Sequence, residues 1–84
     1  MDDLPDELVV SLKTLDPDLA QGIADALDPV SGELGPREVA VLQRLVNGIN
    51  TGAPAAELNA FVRLLPVTVS RAVAPAIEPV TAGS

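Results

Sequence analysis

The side chains that could do chemistry in this chain are carboxylates, hydroxyls and a few cations. Its 84 residues include 12 acidic and 5 basic residues but neither histidine nor cysteine. Without these two residue types the chain lacks the most common general base, the thiol nucleophile and the most common ligands of transition metals. We therefore expect that the chain is not an enzyme by itself and that it binds no cofactor.

Two groups of acidic residues have the composition of a divalent-cation site. Asp25 and Asp28 lie three residues apart, and a second group lies near the N-terminus. Neither group has the spacing of an EF-hand loop, and carboxylates at helix starts interact favourably with the helix dipole. We therefore interpret both groups as capping and solvated residues and expect no metal ion. The N-terminal group consists of Asp2, Asp3, Asp6 and Glu7.

Hydroxyl and glycine residues show no pattern of nucleophilic or phosphate-binding sites. Ser11 and Lys13 are two residues apart, so on a helix they do not face each other as a serine–lysine pair would. Gly32 and Gly35 are not followed by the lysine and hydroxyl residue of a phosphate-binding loop. We therefore assign no catalytic residue.

The charge balance of the chain bears on its partners. The formal net charge is −7, which repels the phosphates of nucleic acids and of anionic membrane surfaces. The same charge attracts a basic protein partner, and it also favours solubility. The N-terminal segment lacks the pattern of a signal peptide, and no apolar run has the length of a membrane span. We therefore expect a cytoplasmic protein without nucleic-acid or membrane partners.

Prolines and apolar periodicity indicate a helical chain. Proline fits the first turn of a helix because its missing N–H would have no partner there. After Pro36, the apolar residues Val39, Leu42 and Val46 recur at helical spacing. These patterns predict an all-α fold, a compact bundle of about five short helices. The predicted helices run from Pro5 to Thr14, Pro17 to Leu27, Pro36 to Asn47, Pro54 to Leu65 and Pro66 to Ala74.

Some boundaries of the predicted bundle depend on single residues. Glycine commonly ends a helix because it adopts the left-handed conformation easily, so we expect the third helix to end at Gly48. Proline within a helix removes a hydrogen bond, so Pro75 is expected to kink or end the last helix. Residues 28–33 are predicted to form a loop. One domain is predicted over residues 1–80, followed by a frayed tail over residues 81–84.

Two large side chains are the clearest candidates for the core. Leu42 lies in the middle of the most regular apolar stripe, and Phe61 is the only aromatic residue of the chain. Because an aromatic ring can fill much of the space between two helices, we predict that Phe61 packs in the core between the third and fourth helices.

The second half of the chain contains a series of short motifs in a distinctive order. They are Leu34-Gly35-Pro36-Arg37-Glu38-Val39-Ala40-Val41-Leu42, then Leu45-Val46 with Gly48, then Glu57-Leu58, and finally Leu65-Pro66-Val67-Thr68-Val69. In this order they resemble the LuxR-type helix-turn-helix domain over residues 34–77. The resemblance implies a helix-turn-helix arrangement in the C-terminal half, with the last of its helices as the DNA-recognition helix.

Two departures from that family weaken the implied DNA binding. The segment between Gly48 and Glu57 is longer than in the family. Positions of the recognition helix that the family makes polar or basic hold Val67, Ser70 and Ala72 here. Arg71 is then the only cation of that helix, although DNA readout depends on basic and hydrogen-bonding side chains.

Two further apolar residues widen the stripes of the predicted helices. Val41 adds to the stripe of the third helix and Leu64 to that of the fourth; they could pack inside the bundle or contact a partner. We predict a non-catalytic, acidic protein–protein interaction module that docks to another protein or to a second copy of itself. The alternative is a helix-turn-helix DNA-binding transcriptional regulator. The candidate partner-binding residues are Val41, Leu64 and Arg71.

Overall fold

A computed structural model describes residues 4–82, which form an all-α fold. This part of the chain contains six α-helices, one 3₁₀ helix and no strand. The predicted all-α bundle is thereby confirmed. In chain order the helices are α1 (Asp6–Leu12), α2 (Pro17–Leu27), the 3₁₀ helix (Asp28–Glu33), α3 (Pro36–Thr51), α4 (Ala55–Arg63), α5 (Val67–Ala76) and α6 (Glu78–Thr81).

Proline marks the beginning of the first five α-helices. Pro17 and Pro36 are the first residues of α2 and α3. Helices α1, α4 and α5 begin directly after Pro5, Pro54 and Pro66. At these positions proline fixes φ and lacks only an N–H that has no helical partner. The predicted starts of these helices therefore lie within one residue of the observed starts.

Helix α3 ends at Thr51, so the predicted end at Gly48 is wrong. Gly52 follows the helix with a φ of 76°, in the left-handed region. The Gly52 N–H donates to the carbonyl of Ile49 (N···O 3.3 Å), and the Ala53 N–H donates to the carbonyl of Gly48 (2.8 Å). These two bonds close the last turn around the left-handed glycine, so that residue, and not the earlier glycine, ends the helix.

Gly48 instead lies inside α3, where this helix packs against α4. It is buried, and a Cβ atom added to it would lie 3.0 Å from Cδ2 of Leu58 and 3.7 Å from Cε2 of Phe61. The missing side chain of Gly48 therefore allows the close approach of α4 to α3.

The last helices differ from the prediction at their ends. Helix α5 continues to Ala76, one residue beyond Pro75, and Ile77 then separates it from α6. Residues 28–33, predicted as a loop, form the 3₁₀ helix. Of the predicted tail over residues 81–84, the first residue ends α6 and the second follows in a turn. The last two lie outside the described residues.

The core consists of aliphatic side chains. Among residues 4–82 no polar or charged side chain is buried. Leu42 is 1% exposed, as predicted. Phe61 is only half-buried and packs against the edge of the core, because Leu58 and Val62 hold the buried face of α4. The largest fully buried side chains are Leu8, Leu12, Ile23, Leu27, Leu42, Leu45, Leu58, Val69, Val73 and Ile77.

Three helix pairs organise the bundle. Helix α3 packs against α4 and α1, and α2 packs against α5. Where α1 and α3 meet, the side-chain amide of Asn50 donates a hydrogen bond of 2.7 Å to the Thr14 hydroxyl. The described residues have a radius of gyration of 11.3 Å.

Candidate functional site

The described members of the two acidic groups singled out in the sequence do not converge on a metal site. Among residues 4–82 no three acidic side chains come close enough together to hold a metal ion. Asp25 accepts a hydrogen bond of 2.8 Å from the Gln21 amide on the same helix. Asp6 and Glu7 lie exposed in the first turn of α1, where the helix dipole favours them. Of the N-terminal group, Asp2 and Asp3 lie outside the described residues.

Val41, one of the three predicted partner-binding residues, is half-buried on α3 and packs against the core. It precedes Leu45 by four residues and Gly48 by seven, so all three lie on one flank of the helix. Because Gly48 contacts α4, this flank faces α4. Only the part of Val41 that remains exposed is accessible to a partner.

Leu64 lies at the turn that joins α4 to α5, and its side chain is 54% exposed. Val67, the first residue of α5, is 67% exposed. Arg71 follows it by one helical turn on the same side of α5 and is also exposed. We call Leu64, Val67 and Arg71 the corner surface.

Val67 was not among the candidate partner-binding residues, although the resemblance placed it at a position of the recognition helix that the family makes polar or basic. The signal that could have identified it is its position relative to the buried stripe of α5. Val69 and Val73 are buried, and Val67 precedes the first of them by two residues. Two residues are about 200° of helical rotation, so Val67 points away from the core.

The basic residues are exposed and distributed over the molecule. Arg37 and Arg44 lie on α3, Arg63 ends α4, Arg71 lies on α5, and Lys13 follows α1. Arg71 is the one basic residue of the corner surface. The exposed side of α5 therefore offers a single cation to any anionic ligand.

A groove lies between the beginning of α2 and the end of the described chain. Its volume is about 550 Å³, within the range of ligand and peptide pockets. Carboxylates of Asp16 and Asp18 stand beside otherwise apolar or glycine residues. We call it the α2–α6 groove, and its lining consists of Asp16, Asp18, Leu19, Gly22, Pro75, Ala76, Pro79 and Val80.

A second, smaller depression is lined by a different set of residues. Its volume is about 350 Å³, and it is formed between the start of α1 and the start of α3. Glu7 and Gln43 stand in it beside apolar residues. Pro5, directly before α1, also lines it.

Comparison of the chain with protein-family models, with curated proteins and with solved structures gave no match. None of the helices within residues 4–82 combines the length and the apolar character needed to cross a membrane. The function is therefore inferred from the surfaces of the molecule itself.

Proposed function

We propose that this chain is a non-catalytic, acidic helical module that binds another protein through its corner surface. The observation that supports the proposal best is the exposure of two large aliphatic side chains, Leu64 and Val67, on adjacent helix ends. Single exposed aliphatic residues are common on protein surfaces, whereas two of them within four consecutive residues offer a partner more apolar area than either alone.

The corner surface has the composition of a small interface centre. Burying the exposed remainder of Leu64 and Val67 would contribute about 1–2 kcal/mol each. Arg71 beside them can donate several hydrogen bonds, and arginine is enriched in interfaces. Half-buried Phe61 precedes Leu64 by one turn on α4 and extends the apolar area. Val41, half-buried on α3, is not part of the corner surface.

The partner's chemistry follows from the composition of the surface and from the charge of the chain. A matching surface has an apolar groove for Leu64 and Val67 and a basic rim that complements the net charge of −7. A second copy of the chain is the other candidate, because an isologous dimer could cover two corner surfaces at once.

The test compares two aspartate substitutions at exposed aliphatic residues. Leu64→Asp places a charge in the corner surface, and Val10→Asp places the same charge on α1 at a residue that is 63% exposed. We expect Leu64→Asp to abolish binding to the physiological partner, because a carboxylate in an apolar contact loses its hydration. We expect Val10→Asp to leave binding unchanged.

The measurement uses wild type and both variants immobilised side by side in an extract of the source cells, with quantitative mass spectrometry of the retained proteins. Sedimentation of the wild type tests whether the chain forms a dimer. Far-ultraviolet circular dichroism verifies that each variant is folded. If the wild type is monomeric and the two immobilised variants retain the same proteins, the corner surface is not a binding site.

The alternative function is a helix-turn-helix regulator of transcription. The observation that favours it is the arrangement of α4, a link of residues 64–66, and α5, since a link of three or four residues is typical of that motif. Against it stands the single cation on α5. Duplex DNA binding at physiological salt that is lost in Arg71→Ala would support this alternative over the protein-binding one.

A further inference from the structure

We propose that the α2–α6 groove is a second docking site, which takes a peptide segment carrying an apolar side chain flanked by lysine or arginine. It lies at the C-terminal end of α5, whereas the corner surface lies at the N-terminal end. The inference goes beyond the proposed function, because the two sites differ in residues and in the chemistry of the ligand.

The lining of the groove includes a glycine that the fold does not require, and we call the part of the lining at this glycine the floor. Gly22 is the sixth of the 11 residues of α2, and a Cβ atom added to it would meet nothing within 4 Å. Glycine inside a helix costs about 0.5–1 kcal/mol relative to alanine. No close contact within the described chain compensates for this cost, and its structural result is an open floor.

The walls of the groove are stiff. Pro75 and Pro79 have fixed φ angles, and Leu19 and Ala76 are half-buried and pack against the core. Binding a ligand to such residues costs little conformational entropy, because they are already ordered in the folded chain.

The rim determines the charge of the ligand. Asp16 and Asp18 are exposed, and Asp16 makes no cap hydrogen bond although it holds the N-cap position of α2. None of the residues that line the groove is basic, and its two polar side chains are carboxylates. Carboxylates accept hydrogen bonds and donate none, so the complementary groups are the ammonium of lysine and the guanidinium of arginine.

The same charges argue against a second copy of the chain as the occupant. Two copies would bring net charges of −7 together, which opposes association through an acidic rim. An apolar side chain with flanking cations, from a different protein, complements both the floor and the rim.

The probe is a short fluorescent peptide with leucines at helical spacing and lysines between them. We expect it to bind the full chain, with amide shifts in NMR spectra concentrated at Leu19, Gly22 and Ala76. Two control peptides replace either the lysines by glutamate or the leucines by serine. We expect each control to bind at least about tenfold more weakly, because each removes one of the two complementary features.

Two sets of variants locate the binding on the chain. Gly22→Phe fills the groove, and we expect it to weaken binding by about tenfold or more, while Gly22→Ala, which leaves most of the space open, changes it little. The double variant Asp16→Asn, Asp18→Asn should weaken binding by about three- to tenfold at low salt. The matched double variant Asp6→Asn, Asp28→Asn removes the same net charge at two exposed residues that do not line the groove and should retain the wild-type affinity.

The outcomes decide between the sites. Three results would each contradict binding in the groove. They are equal binding of the lysine and glutamate peptides, an equal loss of affinity in both aspartate double variants, and amide shifts confined to the corner surface. A dimer that dissociates on Gly22→Phe would also overturn it, in favour of a second copy. Peptide binding that persists in Leu64→Asp supports the groove independently, so failure of either proposal is distinguishable from failure of the other.

Discussion

At the scale of single residues, Leu42 and Phe61 show how burial determines the energetic weight of a side chain. Leu42 is almost entirely removed from solvent and is surrounded by other aliphatic groups. Phe61 is larger, but it is half-buried at the edge of the α3–α4 contact, so truncating its ring leaves a surface depression and not an internal cavity.

We predict that Leu42→Ala costs about 2–5 kcal/mol of unfolding free energy, because it loses buried apolar area and leaves a cavity in the core. Phe61→Ala should cost less, about 1–2 kcal/mol, since the ring keeps part of its contact with water in the folded state. Urea denaturation followed by far-ultraviolet circular dichroism measures both. A larger loss in Phe61→Ala than in Leu42→Ala would contradict the burial described here.

The sequence identified Leu42 as a core residue and overestimated the burial of Phe61. Helical spacing defines the buried stripe of α4 as Leu58 and Val62. Phe61 directly precedes Val62 and therefore lies at the side of that stripe. Size and aromatic character do not determine which side of the stripe a neighbouring helix covers. The same limit applies to the corner surface, where Leu64 was a candidate and Val67 was not.

At the scale of helices, starts were predicted better than ends. The starts depend on local chemistry, because proline at the first turn is favourable whatever the rest of the chain does. The end of α3 depends on which glycine adopts a left-handed φ, and it is Gly52 that does so, whereas Gly48 lies inside the helix in close contact with Leu58. That contact joins two helices, so the residues around Gly48 alone could not reveal it.

We predict that alanine substitutions at the two interior glycines separate helix propensity from helix packing. Gly22→Ala should stabilise the chain by about 0.5–1 kcal/mol, because the added methyl group meets open space. Gly48→Ala has the same gain in propensity, but its methyl group would press on fully buried Leu58 at 3.0 Å, and overpacking a core costs about 1–3 kcal/mol.

Gly48→Ala should therefore be less stable than Gly22→Ala by about 1 kcal/mol or more. Chemical denaturation of the two variants and of the wild type gives the comparison. Equal stabilities would mean that α4 can move away from α3 without cost, which would contradict the close packing of this pair.

At the scale of the whole molecule, fold class was predictable and the groove was not. Net charge, the missing histidine and cysteine, and the helical spacing are properties of composition and local order. The α2–α6 groove brings together residues 16–22 and residues 75–80, which are far apart in the sequence. Neither segment indicates a site by itself, because the groove forms only where residues of α2 lie beside residues of α5 and α6.

Charge and fold are largely independent in this molecule. Within the described residues no charged side chain is buried. Glu38, whose carboxylate accepts a hydrogen bond of 3.0 Å from the Gly35 N–H at the start of α3, is half-buried, and the other charged side chains in this part of the chain are exposed. Charge changes in the corner surface or on the groove rim should therefore alter binding with little effect on stability. This separation is what makes the proposed aspartate and asparagine variants informative.

The purely hydrocarbon core has a consequence for the response of the chain to cold. Exposing apolar surface raises the heat capacity of the unfolded chain, and hydrophobic stabilisation weakens as water is cooled. With no buried polar side chain among residues 4–82 to offset this trend, we expect the helical signal in moderate urea to fall on cooling toward freezing as well as on heating. A signal that rises steadily down to freezing would contradict this expectation. If the signal falls at both extremes, the native state is stable only between a lower and an upper temperature. The aliphatic burial that stabilises the fold at intermediate temperatures then also sets the lower limit.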